Sequence, residues 1–133
     1  MGRIEQNLVR AGATDISKKY ENGVCIAITF RLLVNHNPLF FQLPAKVEAC
    51  FDALWKEVKR PRPESKANTR AQAERTAWKI ISDWVEIQLS MILLEQADAL
   101  EIFLPFAWNP NTNQTFYNQL KDNGFKALPG INK

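Results

Sequence analysis

The residues best suited to do chemistry in this chain are cations concentrated between positions 56 and 79. Eight lysines and arginines stand there against three glutamates, a local charge of 8 − 3 = +5, whereas the whole chain carries only 17 − 14 = +3. A positive charge concentrated in this way suits a polyanion or an acidic partner surface. The cations of this basic tract are Lys56, Lys59, Arg60, Arg62, Lys66, Arg70, Arg75 and Lys79.

The tract predicts contacts with the phosphates of a nucleic acid, because each such contact releases condensed counterions. Pro61 and Pro63 interrupt any helix and hold this segment extended. The alternative interpretation is a solvated linker whose charge only keeps the protein soluble. The predicted contact residues are Lys56, Lys59, Arg60, Arg62, Lys66, Arg70 and Arg75.

Aromatic side chains decide whether unpaired bases have a surface on which to stack. Tyr117 and Trp108 lie in or beside an Asn-rich segment and are the candidates for an exposed platform, with Phe116 as the buried partner of Tyr117. Tyr117 is therefore added to the predicted nucleic-acid contacts, and single-stranded nucleic acid is included among the partners. Three further tryptophans lie on apolar stripes and are assigned to the core: Trp55, Trp78 and Trp84.

The remaining reactive side chains do not form a catalytic pattern. Asp83 and Glu86 lie three residues apart and could hold a hard cation, but Lys79 precedes Asp83 by four residues, the spacing of a helical ion pair. His36 lies in a turn sequence, and Cys25 and Cys50 have apolar neighbours. We therefore predict no enzyme, no metal site and no cofactor.

Composition is that of one globular domain of 133 residues, with 46% hydrophobic and 23% charged residues. No apolar run approaches the roughly 18 residues that a membrane span needs. The first residues lack the apolar centre of a secretory signal. Together with the reduced state expected for the two cysteines, this indicates a cytoplasmic protein that does not engage membranes.

Periodicity predicts the α+β class: a three-stranded antiparallel meander covered by two or three helices, with one long central helix. Residues 24–34 alternate as a strand, and Asn-containing turns flank them. The predicted division is a helix at 1–12, the meander at 13–43, a helix at 45–58, the basic linker at 59–68, the long helix at 69–97 and a C-terminal segment with a short helix at 98–133.

The long helix and the segment after it carry two further expectations. Its polar face is narrow (Arg75, Lys79, Ser82, Asp83, Glu86 and Ser90), so the helix is expected to be the central spine. Its apolar surface exceeds what one small sheet covers, which favours a homodimer. Residues 101–106 predict a short strand or an extended packing segment.

Three stretches give the chain a family resemblance. They are Ile28–Phe30 followed by Phe41–Pro44, then Gln72–Trp78 continuing into Asp83–Glu86, and finally Glu101–Phe106 with Thr115–Tyr117 after it. From Gly12 onward, the sequence resembles small uncharacterised proteins of tailed bacteriophages and prophages. The resemblance implies a phage or mobile-element setting inside a bacterial host, and it supplies no residue roles.

Two functions of different classes follow from these features. The first is a phage accessory protein that binds nucleic acid through the basic tract. The second is a protein-interaction module that docks on a host or phage protein, inhibitors of bacterial defence included, through the same charges or through exposed sheet edges.

Overall fold

The clearest alternating pattern in the sequence, residues 24–34, forms the middle strand of a three-stranded sheet. The computed structural model describes residues 2–130, and its antiparallel sheet runs in the order β1 (Thr14–Glu21), β2 (Val24–Val34) and β3 (Asn37–Pro44). The predicted meander is therefore confirmed. Residues 1 and 131–133, which the sequence assigns to the first and last segments, lie outside the described residues.

Both hairpin turns are tight because their central residues accept a left-handed backbone. Asn22 and Gly23 have φ of 51° and 78°, and Asn35 and His36 have φ of 52° and 67°. Two consecutive positive φ values are the signature of type I′ turns, whose twist matches that of the flanking strands. His36 is thus a turn residue, as its sequence context predicts.

Helices flank the sheet in the chain, and one of them is much longer than the rest. The 29 residues of α3 span about 43 Å. The helices are α1 (Gly2–Arg10), α2 (Val47–Trp55), α3 (Ser65–Leu93), α4 (Ala99–Phe103) and α5 (Phe116–Asp122). A 3-10 turn (Leu104–Phe106) follows α4, and the short strands β4 (Trp108–Asn109) and β5 (Gln114–Thr115) pair ahead of α5. Within residues 2–130 no helix combines the length and apolar character needed to cross a bilayer.

The long helix is confirmed, but it begins and ends four residues earlier than the predicted 69–97. It begins at Ser65, whose hydroxyl accepts a hydrogen bond from the Arg62 amide at 2.8 Å. It ends at Leu93 because Glu95 adopts a φ of 59° and the Gln96 amide donates to the Met91 carbonyl. Since α2 also ends early, the basic linker occupies residues 56–64 instead of 59–68.

The prediction of a strand or extended segment at 101–106 is wrong, since α4 and the 3-10 turn occupy these residues. The Asp98 carboxylate caps α4 by accepting a hydrogen bond from the Glu101 amide at 2.9 Å. Pro105 fits at the start of the 3-10 turn, where no amide hydrogen is needed. Phe103, the last residue of α4, is almost completely buried.

Two groups of buried side chains form the core, and α3 contributes to both. The main core joins α1, the sheet, α3 and α4 through Ile4, Leu8, Ala13, Ile28, Phe30, Leu32, Phe41, Leu43, Val85 and Phe103. The minor core lies between α2 and α3 and contains Ala45, Val47, Phe51, Ala73 and Ala77. Trp78 and Ile81 pack against both cores, so α3 is the spine of the fold as expected.

Candidate nucleic-acid interface

The connection between α2 and α3 holds the first half of the basic tract at the surface. Lys56, Lys59, Arg60 and Arg62 are all exposed, and so are the two prolines between them. Because α2 packs against α3 along the minor core, this connection is the loop of a helical hairpin. Folding therefore gathers these four cations at one end of the hairpin.

The start of α3 adds a fifth cation and an electrostatic preference for anions. Lys66 is the second residue of the helix and is exposed. The first turn contains no acidic residue, and no side chain caps its amides, although Glu64 occupies the N-cap position. Uncapped amide groups and the positive end of the helix dipole favour a phosphate at such a place. We call the five side chains the hairpin cluster: Lys56, Lys59, Arg60, Arg62 and Lys66.

None of the five cations in the hairpin cluster makes an ion pair with another residue in the range 2–130. Of the other three cations of the tract, Arg70 and Lys79 are both paired, and only Arg75 is exposed without an ion pair among residues 2–130. A cation that already faces a carboxylate must lose that partner before it contacts a phosphate, whereas an unpaired exposed cation loses only water and counterions. The hairpin cluster is therefore the largest group of cations in the tract that is free to bind an anion.

Arg70 is engaged within the protein. Its guanidinium lies 2.5 Å from the Glu48 carboxylate and 4.1 Å from the centre of the Phe51 ring. Both partners belong to α2, so Arg70 ties α3 to α2 beside the minor core. The structure thus gives this predicted phosphate contact a positioning role.

Arg75 is exposed but does not share a face with the hairpin cluster. It follows Lys66 by nine residues, which is 900° of helical rotation at about 100° per residue, or two and a half turns. The two side chains therefore leave α3 on opposite sides. A ligand bound at the hairpin cluster would have to wrap around the helix to reach Arg75.

Tyr117 is exposed as predicted, but the ring that packs against it is not the predicted one. Phe116 is 36% exposed, so its assignment as the buried partner is wrong. The Tyr117 ring packs instead against Phe125, with 6.0 Å between ring centres. Trp108 is half-buried, and its indole N–H is buried without a hydrogen-bond acceptor among residues 2–130. Trp108 therefore offers little surface for base stacking.

The structure does not bring Tyr117 to the hairpin cluster. Its helix, α5, packs on the 3-10 turn at 104–106, where Phe106 contacts Trp84 with 5.7 Å between ring centres. Trp84 follows Lys66 by 84 − 66 = 18 residues, about 27 Å along α3.

The remaining tryptophans are part of the packing: Trp55, Trp78 and Trp84 are partly buried against one or both cores, in agreement with their predicted place.

The acidic pair on α3 is neutralised by cations from two elements. The Lys79 ammonium lies 2.9 Å from the Asp83 carboxylate, as its spacing predicts, and Arg3 of α1 pairs with both Asp83 and Glu86. The hydrogen bond from Lys79 holds the pKa of Asp83 below its ordinary value. Among residues 2–130 no cluster of three His, Cys, Asp or Glu side chains could hold a metal ion.

Cys25 shows no feature of an activated nucleophile. Burial raises the pKa of the Cys25 thiol, which disfavours the reactive thiolate. Its Sγ–H donates to the Ala27 carbonyl at 3.8 Å, as a core residue would. The Cys25 carbonyl accepts a hydrogen bond from the Trp78 indole at 2.9 Å, which links β2 to α3.

Sequence reasoning missed three features of this surface. Arg3 and Glu48 were not recognised as ion-pair partners, since each lies far in sequence from the residue it meets. Ser82, predicted on the polar face of α3, is buried, and the exposed face is instead crossed by Ile80, Ile87 and Leu94. The seven-residue spacing of these three side chains was the available signal.

Comparisons with known proteins add no relatives. A scan against protein-family models, a search of curated proteins and a search of solved structures each found no match. The resemblance to phage proteins accordingly stays an expectation from sequence.

Proposed function

We propose that the protein is a non-enzymatic accessory protein of a phage or mobile element that binds nucleic acid through the hairpin cluster. The observation that carries the proposal is the set of five exposed, unpaired cations at one end of the α2–α3 hairpin. Such side chains bind the sugar-phosphate backbone, which positions a protein but carries no base sequence. The proposed binding is therefore electrostatic and not sequence-specific.

The roles within the site divide by geometry. Lys59, Arg60, Arg62 and Lys66 contact phosphates, and Lys56 extends the surface towards α2. Arg70 supports the site by fastening α3 to α2 through Glu48 and Phe51. Arg75 and Tyr117 contribute only to ligands long enough to leave the hairpin.

Docking on a partner protein is less well supported, because the sheet edges are poorly suited to strand addition. The β1 edge is interrupted by register shifts near Ser17 and Lys19, and Lys18 and Lys19 stand on it. On the other edge, Phe41 of β3 already pairs with Ala107. Bulges, charges and coverage are the usual protections of a sheet edge. An acidic protein surface remains the alternative ligand for the cluster.

Fluorescence anisotropy with labelled single-stranded DNA, duplex DNA and RNA tests the proposal. Five phosphate contacts predict a slope of log affinity against log salt near −4.5 for duplex DNA, hence a loss of roughly 10²–10³-fold between about 50 and 200 mM salt. Replacing Lys59, Arg60, Arg62 and Lys66 together by Ser should remove most of this slope. Absence of binding to all three ligands at the lower salt would overturn the proposal and favour the acidic protein surface.

A matched control separates local contact from net charge. Arg10, Lys19, Lys46 and Lys121 are exposed, and none pairs with an acid in the described part of the chain. Replacing these four by Ser removes the same charge from other places. Equal weakening by both quadruple variants would show that the net charge, and not the hairpin cluster, drives binding.

A further inference from the structure

The hairpin cluster contains a short stretch of chain that is neither helix nor strand. Arg60, Pro61 and Arg62 belong to no regular element, and they are exposed together with Pro63. Each arginine precedes a proline, which disfavours a helical backbone at that arginine and favours an extended one. Each proline fixes its own φ near −65°. The two arginines therefore stand on a narrow stretch of chain, and we call residues 60–63 the Arg-Pro segment.

The backbone beside the Arg-Pro segment is anchored, whereas its arginine side chains are free. The Arg62 amide donates to the Ser65 hydroxyl at 2.8 Å, and the Ser65 amide donates to the Arg62 carbonyl at 3.0 Å. Towards α2, the Val58 amide donates to the Trp55 carbonyl at 3.1 Å. Within residues 2–130 the guanidinium groups of Arg60 and Arg62 make no ion pair and no hydrogen bond. Both are thus available to a ligand, and little backbone has to be ordered when it binds.

The side chains around the segment suit a duplex better than unpaired bases. Residues 56–66 contain no aromatic residue. Trp55, which precedes them, is half-buried and stacks on Phe51 with 5.9 Å between ring centres. Unpaired bases are held largely by stacking on exposed aromatic rings. A duplex is recognised through its phosphates and grooves, for which the cations of the hairpin cluster are sufficient.

The dimensions of the segment match the minor groove of DNA. This groove is about 6 Å wide, which is too narrow for a helix of about 10–12 Å in diameter. Single extended chains do enter it, as the N-terminal arms of several DNA-binding proteins show. At about 3.1–3.4 Å per residue, Arg60 and Arg62 are separated by the length of about two base-pair steps.

We propose that Arg60 and Arg62 insert into the minor groove of A·T-rich duplex DNA, while Lys59 and Lys66 contact the phosphates that border the groove. The inference rests on the proposed function and adds to it a preference for one class of duplex. That preference concerns the shape and chemistry of the groove, and it does not specify a base sequence.

The preference for A·T pairs follows from hydrogen-bond chemistry and from groove shape. A guanidinium group only donates hydrogen bonds. The minor-groove edge of an A·T pair presents only acceptors, whereas a G·C pair adds the guanine amino group, a donor that opposes the guanidinium. Runs of A·T pairs also have a narrower groove with a stronger negative potential, which attracts arginine.

The order of the two cation types along the chain agrees with this arrangement. Both arginines of the hairpin cluster lie in the Arg-Pro segment, and its lysines all lie outside it. Guanidinium is more weakly hydrated than ammonium, so it loses less when it enters a narrow groove. The exposed Glu57 and Glu64 oppose the phosphates, but residues 56–66 keep a net charge of 5 − 2 = +3.

Anisotropy titrations with three labelled duplexes at about 100 mM salt test the inference. The duplexes share their length and flanks and differ only in a central run of A·T, G·C or inosine·cytosine pairs. Inosine lacks the amino group of guanine, so an inosine·cytosine pair keeps the major-groove edge of G·C but lacks the minor-groove donor. The A·T and inosine·cytosine duplexes should bind alike, and about tenfold more tightly than the G·C duplex.

The outcomes separate this inference from the proposed function. Equal and salt-sensitive affinity for the three duplexes would overturn the minor-groove inference and leave the proposed function standing. An inosine·cytosine duplex that binds as weakly as the G·C duplex would do the same. Absence of binding to all three duplexes, also at about 50 mM salt, would overturn both.

A charge-conserving double variant tests the two arginines themselves. Arg60→Lys combined with Arg62→Lys keeps the net charge and the salt slope, but it should reduce the preference for A·T over G·C to about threefold or less. Arg10→Lys combined with Arg75→Lys is the matched control, since both arginines are exposed and neither is ion-paired among residues 2–130. The control should keep the full preference. A full preference in the first variant would refute the insertion of Arg60 and Arg62.

Discussion

The N-terminal and C-terminal halves of α3 expose chemically different surfaces, although they belong to one continuous helix. The first half stands on the minor core and ends in the hairpin cluster, where the exposed side chains are unpaired cations. The second half stands on the main core and exposes Ile80 and Ile87, while its charged side chains are paired with each other and with Arg3.

The difference teaches that unpaired charge, in the α2–α3 loop and the first turn of α3, is kept apart from the exposed apolar side chains of the second half of the helix. Unpaired cations suit a ligand that is recognised by its negative charge. Paired charges beside exposed Ile and Leu suit a ligand that is recognised by its apolar surface. The two halves should therefore respond to different substitutions. The experiments that follow test this separation, starting with the largest expected effect.

Truncation of a core phenylalanine should separate the two halves in stability. Phe103→Ala removes a ring that packs edge-on against Phe30 at 5.3 Å, and we expect a loss of about 3–5 kcal/mol in unfolding free energy. Phe51→Ala should cost less, because one face of that ring meets the partly solvated Arg70. Urea titrations followed by circular dichroism measure both. A larger loss for Phe51→Ala would place the stability of the fold in the minor core.

Substitution of Arg70 examines how the first half is held. Arg70→Met keeps the aliphatic stem but loses the ion pair and the cation–π contact, for an expected loss of about 1 kcal/mol. Glu48→Gln loses only the ion pair, which is largely solvent-exposed, and should cost a fraction of that. Chemical denaturation with urea distinguishes the two. Equal losses would mean that the contact between Arg70 and the Phe51 ring contributes nothing to the free energy of unfolding.

Single substitutions sharpen the boundary of the hairpin cluster. Arg62→Ser should lower the magnitude of the salt slope by about 1, so that the loss of affinity across a fourfold range of salt becomes roughly three- to fourfold smaller. Arg75→Ser, which removes an exposed cation from the opposite side of α3, should change the slope little. Anisotropy titrations at several salt concentrations measure both. Identical slopes for the two variants would extend the binding surface around the helix.

The paired charges of the second half predict a small dependence on pH. The pKa of Asp83 lies below its ordinary value of 3.8 when the protein is folded, so its stabilising contribution is complete above that value and is lost as the pH falls through the folded-state pKa. Asp83→Asn should lower the melting temperature slightly at about pH 7 and by less at about pH 2.5. A variant that differs equally from the wild type at both pH values would show that charge is not the cause.

Most of the fold could be predicted because its signals are local. Alternation along β2 and the Asn-containing turns are sufficient for a meander, and the apolar pattern of α3 is sufficient for a central helix. Helix bounds and the segment 101–106 were harder, because single hydrogen bonds at Ser65 and Asp98 decide them. The apolar pattern of this segment suits a strand as well as a helix, so it does not reveal which of the two these bonds select.

The sequence was sufficient to locate the candidate site, but not to separate its solvent-facing cations from those paired with an acid. Charge density marks residues 56–79, yet it does not distinguish a cation that faces solvent from one that faces an acid. Arg70 meets Glu48 across 22 residues of chain, and this contact exists only once α2 and α3 pack. Tyr117 was grouped with the tract by chemistry alone, and sequence does not show that the fold places it away from the hairpin cluster.

The two cores also differ in how far along the chain their residues are drawn from. The buried members of the minor core all lie within residues 45–77, whereas those of the main core extend from Ile4 to Phe103. Contacts between near neighbours close small loops and form quickly, and distant ones delay folding. The α2–α3 hairpin is thus expected to assemble before the sheet is fully covered. Its loop would display the hairpin cluster while the rest of the chain is still closing around Phe103.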